Sequence, residues 1–328
     1  MSKGSFVISL DFELYWGLID RRSLESYAGN LRGERHAAAG MLDVFTEFDV
    51  HATWATVGFL FMAGMDEVRA RRPAVSPAYL NPALDPFAYA DRVGSSAPPD
   101  LHFAPDVIEQ ILATPGQELA THTLSHFYCQ EPPGSVAAFR SDLECALAVA
   151  RERFDARLTS LVFPRNQYTP AHVRAAAELG ITAYRGNPAG RMYAPQATAD
   201  DTTRDRLARL ADTYVPVSRD LTFVPVKPAD GGPVDVTASR FLRPWTRALG
   251  AVDWLRVRRI TRELRSAAKR GRSYHLWWHP HNFGLDPDRN LAALRTILET
   301  FAELRATHGI QSRSMAEVAD LVASGGET

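Results

Sequence analysis

A single α/β fold built on a parallel sheet is the class the sequence predicts. Short apolar, strand-like runs alternate with helical segments along most of the chain, and the polar clusters fall just after those runs. The composition agrees: 328 residues with 45% hydrophobic and 23% charged side chains can bury a large core.

Phe6 to Phe12 reads as a first buried strand, rich in strand formers and followed by a polar, Gly-containing loop. Arg35 to Phe48 places Ala38, Leu42, Phe45 and Phe48 near helical spacing, His51 to Val57 is a second strand, and Phe59 to Arg72 is a helix stopped by Pro73. Positions 73–105 read as a first loop insertion, long enough to line a site. The alternation then resumes with a helix over Pro105 to Ala113, a strand end over Glu118 to Thr121, and a helix over Ser135 to Phe154 with Ser135 as cap. A strand at Ser160 to Phe163, a helix at Pro170 to Leu179 closed by Gly180, and a strand at Ile181 to Tyr184 continue the pattern.

Positions 186–232 break the rhythm and read as a second insertion, with a helical hint around Thr203 to Leu210. A strand at Val234 to Thr237 and one or two basic helices within Ser239 to Lys269 follow. Arg256, Arg258, Arg259, Arg262 and Arg265 are expected on a solvated face, with phosphate contact as the other use of such a row. Ser273 to Trp278 is a strand, Pro287 to Thr307 a helix, Ile310 to Ser312 a short strand and Met315 to Ala323 a last helix. One domain over residues 1–328 is expected, and no internal repeat is evident.

A net charge of −1 gives no global attraction to nucleic acid or anionic membrane. Cys129 and Cys145 follow neither CxxC spacing nor a disulfide-rich pattern, so a reducing compartment is the simpler reading. The apolar run at Phe6 is too short for a signal peptide, and nothing approaches the ~20 apolar residues of a membrane span. These features lead us to expect a soluble cytoplasmic protein whose substrate is available there.

Four polar clusters stand out. His122 and His126 are four residues apart, a spacing that on a helical turn would put two imidazoles on one face, half of a tetrahedral metal site. The alternative is two ordinary histidines, one capping and one at the surface. Asp11 and Glu13 share one face of an extended segment, a placement costly for two carboxylates unless a cation neutralises them, though both could instead face solvent. Arg165, after Val162-Phe-Pro, has the fork geometry to hold a carboxylate, or is simply solvated. His279, after Leu276-Trp-Trp and stiffened by Pro280, suits a general acid or, equally, core packing. His281 is a second candidate at the same strand end.

The order Asp-x-Glu, His-Thr-Leu-Ser-His, Phe-Pro-Arg-Asn-Gln and Trp-Trp-His-Pro-His resembles the polysaccharide deacetylases, the NodB-like carbohydrate esterases, from about Phe6 to about Leu321. The resemblance implies a distorted (β/α) barrel carrying two loop insertions. It further implies His122 and His126 as metal ligands, Asp11 as catalytic base, Arg165 as its tether and His279 as acid. The common first motif has adjacent aspartates, whereas Phe12 stands here in the second place, so Glu13 becomes the implied third ligand. The third motif is also altered, with Pro164 before Arg165.

Such a site would hold a divalent metal, Zn²⁺ foremost, and remove an N-acetyl or other acyl group from an amino sugar that is nucleotide-linked, lipid-linked or part of a natural product. Tyr168, Trp277, Trp278, His281 and Asn282 are the candidate sugar contacts, or core. A metal-independent C–N hydrolase or a catalytically inactive carbohydrate-binding protein on the same fold are the alternatives.

Overall fold

The computed structural model describes residues 3–325 except positions 132, 201 and 219. Helices and strands alternate as β1 (Ser5–Phe12), α1 (Leu24–Phe48), β2 (Ala52–Thr56), α2 (Met65–Ala70), α3 (Pro86–Val93), α4 (Pro105–Ala113) and β3 (Gln117–Thr121). There follow α5 (Val136–Phe154), β4 (Ser160–Leu161), α6 (Pro170–Glu178), β5 (Ala183–Tyr184), α7 (Thr203–Tyr214), β6 (Val234–Asp235) and β7 (Arg240–Phe241). The chain closes with α8 (Asp253–Lys269), β8 (Tyr274–Trp278), α9 (Pro287–His308), β9 (Gln311–Ser312) and α10 (Met315–Ala323). Among the described residues, no helix is long and apolar enough to cross a membrane.

The sheet runs β6-β5-β4-β3-β2-β1-β8-β7, with β9 added to the start of β1, and every ladder is parallel. No ladder among the described residues joins the two end strands, so the result is a curled half-barrel, the distorted (β/α) barrel expected. Because all strands run the same way, every loop after a strand opens on one face.

Strand alternation separates two layers. On β1, Phe6, Ile8, Leu10 and Phe12 face outward into the main core under α1 and α9, while Val7 faces inward. Inside the curl, Val7, Ala55, Ala120, Val162 and Ala183 pack on Met315, Val318, Ala319 and Val322 of α10, which closes the inner face. Small inward residues leave room for that helix. The capping box of Ser314 and Glu317 starts α10 where the sequence placed it.

Several expectations need correction. The helix expected over Phe59 to Arg72 is a 3₁₀ turn at Gly58–Phe61 followed by the short α2, and the first insertion contains α3. The basic segment after Ser239 begins as β7, missed because two residues are too short for a periodic signal, and continues as one helix. Two of its five named arginines are buried rather than solvated: Arg256 pairs with Asp253, and Arg259 meets Asp212 at 2.9 Å. Asp212 lies on α7 and also accepts from Arg240 Nη1 at 3.1 Å, so a buried ion network fastens the second insertion to the body. Both cysteines are free.

Candidate active site

Inward alternation delivers the site. On β1 the inward series continues to Asp11, and on β8 it runs His275, Trp277, His279. Trp278, one residue out of phase, is 0% exposed and stacks on Phe283 with ring centroids 5.7 Å apart. It is a core residue rather than a sugar contact. Tyr168 is also displaced from the expected role: it stacks on Phe163 at 5.0 Å, and its hydroxyl accepts from the Asn187 amide at 3.2 Å, outside the cavity wall.

Glu13 follows β1 directly, and Leu14 beyond it is left-handed at φ 45°. The chain then turns tightly through Leu14–Gly17, and a Cβ on Gly17 would fall 2.2 Å from Glu13 Cδ. Only glycine leaves space for that carboxylate.

The two metal-type histidines do not lie on a helical turn, as their spacing suggested. The segment after β3 is irregular, with Thr123 at φ 65° and His126 at φ 60°, and this bend brings the rings to 5.0 Å between centroids. Left-handed backbone in non-glycine residues costs about 1–2 kcal/mol each, so the surroundings must enforce it. Asp142 on α5 accepts from the Leu124 amide at 2.7 Å and from the Ser125 hydroxyl, and the Thr123 hydroxyl accepts from the Phe127 amide at 2.7 Å.

Glu13 stands between two histidine pairs. Its Oε2 lies 3.6 Å from His122 Nε2 and 3.0 Å from His126 Nε2, while its Oε1 lies 3.2 Å from His281 Nε2 and 3.7 Å from His279 Nε2. Burial alone would raise the Glu13 pKa, but His279, His122 and His126 hold it well below the ordinary value. Burial drives His126 down to about 4, so its imidazole is neutral near pH 7.

These residues fit a divalent cation. His122 Nδ1 donates to the Val162 carbonyl at 2.7 Å, which leaves a lone pair on Nε2 facing a carboxylate oxygen. Two acceptors so placed repel unless a positive centre lies between them. Two imidazoles and a carboxylate suit Zn²⁺ or a similar ion, and their ligand atoms lie within 4.8 Å of one another. Glu13 makes a comparable group with His279 and His281, but His279 is 24% exposed in its side chain and faces the cavity, a better position for meeting substrate.

Asp11 is held by Arg185, not by Arg165. Arg185 Nη1 and Nη2 donate to Asp11 Oδ1 and Oδ2 at 2.6 and 2.7 Å, and Asn166 Oδ1 accepts from Nη2 at 3.0 Å. Behind them, Ser9 Oγ accepts from Arg185 Nη1 at 3.1 Å and lies 2.8 Å from His275 Nε2, whose ring is fixed by the Val236 carbonyl at 2.9 Å. Burial raises the Asp11 pKa, yet Arg185 and His122 bring it below the usual carboxylate range. Arg165 instead pairs with Asp20 at 2.5 Å and lies over the Tyr128 ring at 4.2 Å.

A cavity of about 640 Å³ opens over this centre. Asp11, Glu13, His126, Arg165, Trp277, His279, His281 and Asn282 are among its walls. Tyr27 supports the far side, its hydroxyl 2.9 Å from His281 Nδ1 and donating to Asn282 Oδ1 at 3.3 Å. Arg185, Ser9 and His275 were not foreseen. Arg185 directly follows the expected strand Ile181 to Tyr184, the same position that drew attention to Arg165, and that placement was a usable signal.

The architecture is the NodB-like fold of the polysaccharide deacetylases, as comparison with solved structures shows. A protein assigned to that group from Mycobacterium smegmatis superposes with a TM-score of 0.63 at 14% identity, covering 100% of this chain and 93% of the other. One assigned likewise from Pseudomonas aeruginosa PAO1 gives 0.57 at 13% identity over 97% and 90% of the two chains. Puue allantoinase gives 0.56 at 14% identity over 100% and 93%. No protein-family model and no curated protein sequence matches the chain.

Proposed function

We propose that the protein is a metal-dependent hydrolase that removes an acyl group, foremost acetyl, from an amino sugar. The observation that carries this reading is the convergence of His122 and His126 Nε2 on Glu13 Oε2, at 3.6 and 3.0 Å, beside an ionised Asp11. The fold shared with polysaccharide deacetylases supports it.

Glu13, His122 and His126 would hold the ion. Bound there, a divalent cation supplies a water acidified toward neutral pH and a Lewis acid for the amide carbonyl. Asp11, kept ionised by Arg185, accepts the proton of the attacking water. His279 Nε2, 3.7 Å from Asp11 Oδ2 and facing the cavity, carries a proton to the departing amine. Tyr27 and His281 keep Glu13 in place from the other side. Trp277 and Phe241, tilted against each other at 4.6 Å, offer aromatic faces to the apolar side of a sugar ring. The substrate carries a nucleotide, lipid or natural-product extension, and cytoplasmic action belongs to the same reading.

Acetate release from N-acetylated amino sugars by metal-loaded and chelator-stripped protein tests the proposal. Activity lost on stripping and restored by Zn²⁺ or another divalent ion is the expected result. Full amide hydrolysis by metal-free protein would overturn it.

A further inference from the structure

We propose that the cavity binds a phosphorylated amino sugar, with Arg243 and Arg209 forming a phosphoryl subsite beyond the Trp277–Phe241 platform; this rests on the deacetylase reading and names its substrate class.

The cavity wall is far more basic than the chain. Six arginines line it, Arg21, Arg22, Arg165, Arg209, Arg240 and Arg243, against the two carboxylates Asp11 and Glu13, in a protein of net charge −1. Arg165 and Arg240 are matched internally, by Asp20 at 2.5 Å and by Glu263 at 2.7 Å. Arg243 is not: its Nε donates to the Thr213 hydroxyl at 3.0 Å, and no carboxylate among the described residues pairs with it. That single bond orients the guanidinium and leaves its two terminal nitrogens available. Its pKa is lowered, first by burial and then by the charge of Arg209 nearby, the state of a cation that lacks its anion.

Order along the cavity gives the second argument. Phe241 lies 5.7 Å from His279 and 4.6 Å from Trp277 between ring centroids, and Arg243 lies 5.8 Å from the Phe241 ring. Reactive centre, sugar-sized aromatic platform and unmatched guanidinium thus follow one another. A hexosamine whose acyl amide reaches Glu13, His122 and His126 would direct a substituent elsewhere on its ring toward Arg243. Arg209, on α7, lines the same wall and donates to the Met192 carbonyl at 3.0 Å. Guanidinium groups recognise phosphoryl oxygens with forked hydrogen bonds, and the unmatched charge of Arg243, with a second guanidinium on the same wall, favours a multiply charged phosphate or diphosphate over a singly charged carboxylate.

The test compares N-acetylglucosamine as its 1-phosphate, as a nucleotide diphosphate, as a short polyprenyl diphosphate and as the neutral methyl glycoside, with N-acetylglucosaminuronate as a carboxylate control. Acetate release and calorimetric binding are measured on the metal-loaded enzyme. At least one phosphorylated form should exceed the methyl glycoside tenfold or more in kcat/KM, the better of the two diphosphates naming the carrier. R243Q should cut that preference to about threefold or less, as should R209Q if the first variant folds poorly. R92Q, which is not on the cavity wall, should retain it. Equal use of phosphorylated and neutral sugars, preference for the uronate, or a preference that survives both cavity substitutions would overturn the subsite. Acetate release without phosphate preference sinks the subsite alone. Arginine-dependent binding of the phosphorylated forms without any acetate release sinks the deacetylase reading and leaves the subsite standing.

Discussion

Arg185 grips Asp11 through both terminal nitrogens, at 2.6 and 2.7 Å, and both residues are almost wholly buried. Removing one partner of such a pair strands a charge in a dry environment, at a cost of about 3–5 kcal/mol. R185Q should therefore lower thermal stability. It should also raise the pKa of Asp11, which Arg185 holds below its ordinary value against the effect of burial. Because the reaction needs the ionised carboxylate, the acid limb of the kcat/KM profile should move to higher pH. A profile with an unmoved acid limb would remove Asp11 from the role of base.

Metal content should follow the three ligands. E13Q, H122A and H126A are each expected to reduce the tightly bound divalent ion, about one per chain in the parent, and to lower kcat by at least about 10³-fold. Elemental analysis after gel filtration reads the first effect. Full occupancy in all three variants would mean the ion lies elsewhere.

Gly17 is the least conspicuous residue on which the centre depends. An added methyl would lie 2.2 Å from Glu13 Cδ, so G17A should push that carboxylate off the histidines. The expected signature is weakened metal binding and activity lowered by about 10²-fold, the scale on which a misplaced catalytic group acts. Unchanged metal affinity would show that Glu13 has somewhere to go.

The adjacent tryptophans should behave oppositely. W277A is expected to raise KM with little loss of stability, since its ring walls the cavity beside Phe241. W278A removes a ring packed on Phe45 and Phe283 and should cost about 3–5 kcal/mol in unfolding free energy. Steady-state kinetics and denaturant melts on the two variants check the pair.

Glu34 on α1 is 0% exposed, and among the described residues its carboxylate oxygens have no side-chain hydrogen-bond partner. Burial and the nearby Glu13 charge raise its pKa well above the ordinary carboxyl range. A carboxyl whose folded pKa is raised loses stability as pH climbs from its unfolded value toward the folded one. E34Q, which cannot ionise, should therefore be more stable than the parent at pH 8, by about 1 kcal/mol or more, and the advantage should vanish near pH 4. Melting curves at the two pH values decide it.

Much of the frame was legible because long apolar runs are local signals: α4 and α10 span the expected Pro105 to Ala113 and Met315 to Ala323. The short strands β4, β5 and β6 fall inside the runs expected at Ser160 to Phe163, Ile181 to Tyr184 and Val234 to Thr237, whereas β7 was missed, since two paired residues leave almost no periodicity and tertiary pairing decides them. Glu13, His122, His126, Asp11 and His279 meet as expected, although His122 and His126 meet through left-handed backbone rather than a helical turn. The pairing of Asp11 with Arg185 was hidden by its separation of 174 positions in the chain. Phase was the lesson of Trp277 and Trp278, because one residue along a strand exchanges cavity for core.

The uneven strand lengths divide labour across the half-barrel. Asp11 lies on β1, which is laddered on both sides, and His122 and His279 directly follow β3 and β8, whose five-residue ladders run along β2 and β1. Arg209 and Arg243, by contrast, belong to the border built from brief pairings and the second insertion. A lineage or an engineer could rewrite the border to accept another sugar carrier while the hydrolytic machinery stayed in register.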